Sequence, residues 1–223
     1  MPFPSDATYF WTFLHFVARF IVGPILCTIE VHNQEHVPRR GGCIVASNHS
    51  MGPDYVLLGY AASRQIYYMA KSESFEINPW LTRFLHAVGT FPIQRGHKDR
   101  FALQSAVDQI KSGRAVGMFP EGTRSRTGVL GNARSGTTRI AMQTEALVVP
   151  AAVMNSHKVL KRFQYKHRPH VIVRFGPPLI LKGDLEDPAV IRDNTDRMMY
   201  AIAALLPPKY RGPYQVSKND IDE

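Results

Sequence analysis

A chain of 223 residues that is 44% hydrophobic and 20% charged can bury one large core or two small ones, which excludes a disordered or low-complexity protein. Its formal charge of +9 favours an anionic partner, whether nucleic acid, a membrane surface or a phosphorylated substrate. Cys27 and Cys43 belong to no CxxC or Cys/His cluster, which argues against a disulfide framework or a structural zinc site and for a reducing compartment.

The N-terminal segment "YFWTFLHFVARFIVGPIL" is the most apolar stretch. No basic region precedes the run and it shows no obvious small-x-small cleavage site, so a secretory signal is disfavoured. On a helix, Thr8, Thr12, His15 and Arg19 form one narrow polar stripe, while Phe10, Trp11, Phe13, Leu14, Phe16, Val17, Phe20 and Ile21 fill the remaining arc. A membrane span needs roughly 20 apolar residues, and one built here would carry Arg19 into hydrocarbon. Residues 1–25 are therefore expected to form an amphipathic helix lying in the membrane interface. The alternative is a helix that caps the domain's own core.

Beyond Gly23-Pro24, "LCTIEVHNQEHVP" alternates apolar and polar residues like a half-buried strand, and Gly41-Gly42 turns into the strand "CIVAS". A helix is predicted from Pro53 to near Ser63, then a strand at "IYYMA", a helix over Pro79 to Ala87 and a short strand over Thr90 to Ile93. An amphipathic helix from Arg100 to Lys111 stops at Gly113, and "AVGMF" at 115–119 is a buried strand. A polar loop from Glu121 to Ser135 leads to a helix over Gly136 to Thr144, strands at "LVVPAAV" and "HVIVRF", and a long helix over Asp187 to Leu206. Such alternation predicts an α/β fold with a central, mostly parallel sheet flanked by helices. The economical division is the N-terminal helix (1–25), one domain (26–210) and a polar, fraying tail (211–223).

In open α/β sheets the working residues gather on loops at strand ends. "IVASNHSMGPDYVLLG" delivers His49 to such a loop, five residues ahead of Asp54. A histidine and a carboxylate so placed can pair as a base and its orienter, or be a solvated histidine and an ordinary aspartate at a helix start. With nine histidines in the chain, one chance pairing at that spacing is roughly an even bet, so the spacing alone is weak. Two further stretches follow strands. "GTFPIQRG" presents Arg95, and "FPEGTRS" presents Glu121, Gly122, Thr123 and Arg124. Arginine forks suit phosphate, and a glutamate among them is expected to stay ionised and to position an arginine or accept a hydroxyl.

Taken in order, "NHSMGPD", "GTFPIQR", "FPEGTRS" and "LVVPAAV" resemble the four blocks of the glycerolipid and lysophospholipid acyltransferases, the PlsC-type lysophosphatidate acyltransferase family. The likeness runs from about Val31 to Val153, with "YYMAKSE" similar to the family's lysine-bearing strand. It implies transfer of an acyl group from a thioester, acyl-coenzyme A or acyl carrier protein, to a hydroxyl of a lysophospholipid, with 1-acyl-glycerol-3-phosphate giving phosphatidate as the leading case. By the family's pattern His49 is the general base, and Asp54 fixes its tautomer and stabilises the imidazolium. Arg95, Glu121, Gly122, Thr123 and Arg124 match the blocks that bind the acceptor's glycerol-phosphate, and Lys71 is a further phosphate candidate by position. No metal or other cofactor is implied, and no "GxSxG" elbow is present. The resemblance places the enzyme on a membrane, at the cytoplasmic face of an inner or plasma membrane. The departures are Pro92 and Gln94 in the second block and "GNAR" ahead of Ser135-Gly136.

A second basic cluster, "HKVLKRFQYKHRPH" at 157–170, interleaves Phe163 and Tyr165 with Lys158, Lys161, Arg162, Lys166 and Arg168. It reads as a membrane-facing segment, as a solvated loop or, least well, as a nucleic-acid surface, since no nucleic-acid motif accompanies it. Other readings of the whole chain keep the chemistry and change the acceptor, to glycerol-3-phosphate, another lysophospholipid or a lyso-aminolipid. A thioesterase and a non-enzymatic basic module that binds membrane or nucleic acid are the remaining alternatives.

Overall fold

The computed structural model describes residues 8–17, 20, 23–93, 99–164 and 166–215. Its centre is strand β2 (Cys43–Ser47), apolar from Cys43 to Ala46 and buried at all five positions. Such a run is what a strand covered by helices on either side requires. Around it lie β1 (Thr28–His32), β3 (Ile66–Lys71), β4 (Thr90–Ile93), β5 (Ala115–Met118), β6 (Leu147–Met154) and β7 (His170–Phe175). The seven-stranded order is β1-β7-β6-β2-β5-β3-β4. β6, β2, β5, β3 and β4 run parallel, whereas β7 pairs antiparallel with β6 and parallel with β1.

Helices α3 (Asp54–Ala61), α5 (Pro79–Ala87), α6 (Asp99–Lys111), α7 (Gly136–Thr144) and α9 (Pro188–Ala204), with the single turn α4 (Glu73–Glu76) ahead of α5, connect or follow the strands. Alternate residues of β2 feed two cores, as a period of two demands. Ile44 and Ala46 pack with Val107 and Ile110 of α6, Ile140 of α7 and Met198, Met199 and Ile202 of α9. Val45 packs on the other face with Leu57, Leu58 and Ala61 of α3 and with Val171 and Val173. The sequence boundaries of α5 and α7 agree with the structure to the residue. Asn78 caps α5 by accepting from Leu81 N–H at 2.8 Å, ahead of a proline at the first helical position.

The parallel strands end together, so Ser47, Lys71, Ile93, Met118 and Met154 lie at one edge of the sheet. Reversal of β7 and β1 brings their starts, His170 and Thr28, to that same edge. At the opposite edge the fully buried Arg64 donates to the carbonyls of Pro38 (3.1 Å), Gly41 (2.8 Å) and Gly113 (2.7 Å). One guanidinium thereby ties together the entries to β2, β3 and β5, the strands that carry the loops of interest.

The N-terminal segment forms α1 (Tyr9–Val17) and a single turn, α2 (Gly23–Leu26), just ahead of β1. Its polar stripe faces the domain. Thr8 N–H donates to Gln65 Oε1 and the Thr8 hydroxyl to the Ala87 carbonyl, both at 2.9 Å, while His15 Nε2 sits 3.0 Å from the Tyr60 carbonyl. Arg19, the last member of the stripe, lies outside the described residues. Trp11 is buried, but Tyr9, Phe13 and Phe16 are exposed, with Phe13 at 61%, and Phe10 meets exposed Phe84 of α5 edge to face. At the other terminus the chain stays packed on the domain past Lys209, and residues 216–223 of the expected polar tail lie outside the described residues. Tyr214 is buried and its hydroxyl accepts from Ala133 N–H at 3.2 Å, because one aromatic finds a socket that a polar average conceals.

The turn entering α3 is tightly packed. A methyl group at Gly52 would come within 2.3 Å of the Ser156 carbonyl carbon and 2.5 Å of His157 N. Gly52→Ala is expected to lower unfolding free energy by about 1–3 kcal/mol through overpacking, read as a shift of the urea midpoint at unchanged m value. An unchanged midpoint would mean that the turn and the chain after β6 do not touch as described.

Candidate active site

His49 leaves the end of β2 on a loop whose backbone is held from both sides. Its N–H donates to Glu121 Oε1 at 2.8 Å, and its carbonyl accepts from Ser125 N–H at 2.7 Å. The preceding Asn48 extends the β2–β6 ladder with its side chain. Its Nδ2 donates to the Val153 carbonyl at 3.0 Å and its Oδ1 accepts from Val153 N–H at 2.8 Å. The imidazole is then fixed by Asp54, whose Oδ2 lies 2.9 Å from Nδ1, and by Phe119, which stacks on it with centroids 4.0 Å apart and planes 17° from parallel.

Asp54 begins α3 and is fully buried, a position that needs compensation. Oδ2 also accepts from Ser50 N–H at 2.7 Å. Oδ1 accepts from the hydroxyls of Ser50, at 3.0 Å, and of Ser156. Ser156 opens α8 (Ser156–Val159), the single turn that follows β6. With donors filling the carboxylate, the Nδ1–H tautomer of His49 is the one that fits, and Nε2 is left for a reacting group. A general base with its orienter is what this pair can be.

Glu121 departs from the sequence expectation. Its two oxygens are occupied by backbone, Oε1 by His49 N–H and Oε2 by Gly131 N–H at 2.8 Å, and the side chain is buried. Burial outweighs those two bonds and pushes its carboxyl above the ordinary value of 4.5, whereas a position between arginines would have pulled it down. Its place is beneath the loop, joining the His49 peptide to the 131 turn. Gly122 turns with φ +68, a left-handed conformation suited to glycine, and the side chain of Arg134 crosses it so closely that a Cβ would lie 3.0 Å from Arg134 Cδ. Arg134, part of the "GNAR" that departs from the family pattern, thus sits beside the Glu-Gly-Thr-Arg turn.

Gly122, Thr123 and Arg124 are exposed and line a cleft of about 680 Å³ together with His49, Tyr55, Tyr68, Met69, Leu85, Thr90 and Phe119. The cleft therefore has a basic polar lip and a largely apolar, aromatic wall. Burial raises the Tyr68 phenol well above its ordinary value of 10, with the Asp54 charge adding to the effect. Lys71 is the last residue of β3, at the same sheet edge, and its side chain lies outside the described groups. Arg95 also lies outside the described residues, two positions beyond the end of β4 at that edge. Pro150 is buried within β6 opposite Ala46, and its carbonyl accepts from Gly176 N–H at 2.7 Å, so it shapes the strand. Asn48, Ser50 and Ser156 are the site residues to which the sequence attached no role. Asn48 and Ser50 flank His49, but nothing marks Ser156 before the chain folds.

The family model described as Acyltransferase matches residues 28–154, and the chain belongs to that family. It is 35% identical over 125 residues to the 1-acyl-sn-glycerol-3-phosphate acyltransferase of Bacillus subtilis, covering 56% of this chain and 61% of that protein. Over 156 residues it is 30% identical to the chloroplastic 1-acyl-sn-glycerol-3-phosphate acyltransferase BAT2 of Brassica napus, covering 66% of this chain and 44% of that one. The matches thus span about two fifths to three fifths of these relatives' lengths. The crystal structure of PlsC, the 1-acyl-sn-glycerophosphate acyltransferase from Thermotoga maritima, superposes with a TM-score of 0.66 at 20% identity, covering 87% of this chain and 78% of that one. The likeness establishes the shared fold, the α/β arrangement with a mostly parallel sheet.

The Glu121 environment yields a pH-dependent expectation. A folded-state pKa raised above 4.5 means that its contribution to stability is complete below that value and is lost as pH rises through the raised one. In Glu121→Gln, one of the two backbone N–H groups faces an amide nitrogen, so the variant should be less stable by about 1–3 kcal/mol at acid pH. That gap should narrow towards neutral pH, where wild type alone carries the cost of a buried charge. Urea midpoints measured across the range check this, and a gap independent of pH would contradict the burial argument.

Proposed function

We propose that the chain transfers a fatty acyl group from a thioester, acyl-coenzyme A or acyl carrier protein, to the free hydroxyl of 1-acyl-glycerol-3-phosphate, giving phosphatidate for phospholipid synthesis. The observation that carries this reading is the His49–Asp54 pair, with Nδ1 committed at 2.9 Å, at the mouth of a cleft that joins an arginine-bearing lip to an apolar wall. His49 Nε2 takes the proton of the acceptor hydroxyl as its oxygen attacks the thioester carbonyl. The buried Asp54 carboxylate stabilises the imidazolium that forms. Collapse of the tetrahedral intermediate breaks the carbon–sulfur bond, and the imidazolium returns its proton to the departing thiolate. No covalent enzyme intermediate and no further cofactor take part.

Arg124, with Arg95 and Lys71 from the neighbouring strand ends, binds the acceptor's phosphate. Thr123 and the Gly122 backbone lie beside it. Glu121 acts from beneath, holding the loop that carries these groups against His49. The acyl chains lie along the apolar wall formed by Tyr55, Tyr68, Met69, Leu85 and Phe119. The names of the relatives support lysophosphatidate as the acceptor, since each is called a 1-acyl-sn-glycerol-3-phosphate acyltransferase.

The enzyme works at a membrane surface. No helix among the described residues is long and apolar enough to cross a bilayer. The inward polar stripe and outward aromatics of α1, continued by exposed Phe84 and by Trp80 at 78%, suit a helix pair lying in the interface. In this reading the cleft works at the cytoplasmic face of an inner or plasma membrane, where thioester donors are found.

His49→Ala should abolish acyl transfer, by about 10²–10⁴-fold or more, while the urea midpoint stays near wild type. Retention of near-full turnover in an assay with labelled acyl thioester and mass-identified lipid product would refute the assignment. Arg124→Ala should raise the apparent KM for a phosphate-bearing acceptor by about tenfold or more, and far less for a phosphate-free acceptor of equal chain length. Equal effects on the two acceptors would show that Arg124 does not read phosphate.

A further inference from the structure

The chain between β6 and β7 leaves the sheet at the edge where His49 stands and returns to that edge at His170. Its first residues are anchored. Ser156 donates to Asp54, the backbone of Ser156 lies against Gly52, and Val159 packs against the core beneath α3. The next residues turn outward, with Leu160 at 69% and Phe163 at 88% exposure. Lys161, Lys166 and Arg168 are exposed around them, and from Asn155 to His170 the sequence contains no aspartate or glutamate. Met51, Tyr55 and Val56, at the start of α3 and beside the cleft, are also exposed.

The topology aligns these features with the N-terminal segment. β1 begins at Thr28, paired with His170, so α2 joins the sheet at the same edge, where Ile25 is exposed. One sheet edge therefore gathers the cleft mouth, the end of the N-terminal segment and a purely cationic loop tipped with two large apolar side chains. We propose that the segment 156–169 is a second lipid-contacting element, which seats the rim of the cleft on an anionic bilayer. Leu160 and Phe163 enter the acyl boundary while the lysines and arginine meet lipid phosphates. The occupant is a lipid surface because a stretch rich in lysine and arginine and without an acidic residue favours a negative partner, and because exposed Leu160 and Phe163 add an apolar requirement that phosphate groups alone do not meet.

This inference rests on the proposed function for its meaning, but binding is measured without turnover. Full-length protein is sedimented with vesicles of phosphatidylcholine alone and of phosphatidylcholine mixed with phosphatidylglycerol. Lys161→Gln with Lys166→Gln should weaken binding to the anionic vesicles by roughly thirtyfold and leave binding to the neutral ones unchanged. Leu160→Ser with Phe163→Ser should weaken binding to both vesicle types. On a short-chain acceptor dissolved as monomer, both double variants should turn over as wild type does, and on acceptor embedded in anionic vesicles both should be slower by about the loss in binding. Wild-type affinity for anionic vesicles in either variant overturns the proposal, as does loss of single-stranded RNA binding without loss of vesicle binding. Absence of transfer by wild type on the dissolved acceptor would instead count against the proposed function and leave the vesicle result standing.

Discussion

The site depends on the grip that one loop has on the backbone of one histidine. Glu121 accepts the His49 N–H and Ser125 donates to the His49 carbonyl, so residues four apart hold both polar groups of a single peptide position. Main-chain bonds on both sides leave the side-chain torsions as the imidazole's freedom. The Asp54 bond and the Phe119 stack then remove those. A ring so held is what the proposed transfer of a proton from a bound hydroxyl to Nε2 requires. The burial of Glu121 that raises its pKa belongs to the same arrangement, because only a desolvated carboxylate with both oxygens occupied makes so rigid a staple.

Sheet topology explains why this grip can form. β2 lies between β5 and β6, and all three run the same way, so the loops after them meet over one edge without long excursions. The loop after β5 supplies Glu121 and Ser125, the loop after β6 supplies Ser156, and the loop after β2 supplies Asn48 and His49. A ligand site at such a switch point in strand order is a general property of open α/β sheets. At the far edge Arg64 holds the strand entries in register, so an error there would displace the loops at this end.

The sheet and helices were legible because local chemistry and tertiary demand agree. "CIVA" is an apolar run such as a doubly covered strand needs, and Asn78-Pro79 signals a helix start through the Asn78 side chain. The His49–Asp54 pair was legible as a spacing, and the structure closes it. What escaped was every role decided by an opposing surface. Ser156 meets Asp54 across 102 residues, and serine is too common for its position to stand out. Arg64 drew no role from the sequence, because the three carbonyls that surround it come from loops distant along the chain. Glu121 was read from its cationic neighbours in sequence, yet its partners are main-chain amides with no sequence signature. The stripe of Thr8, Thr12 and His15 was visible as a periodicity, but periodicity separates two faces without saying which one meets the protein.

That last ambiguity has a physical resolution with consequences for the whole molecule. A terminal helix that turned its aromatics inward would need a broad apolar groove, and the domain offers instead the Ala87 and Tyr60 carbonyls and the Gln65 amide. These acceptors are the exposed ends of α5 and α3 and the entry to β3, groups that need partners wherever the chain lies. The helix satisfies them with threonine and histidine, and its aromatics are left on the outside as a result. The orientation of α1 therefore follows from the hydrogen-bonding needs of the domain's own helix ends. The apolar surface that it displays beside Phe84 is a product of that docking, and an interfacial bilayer is a medium that can cover it.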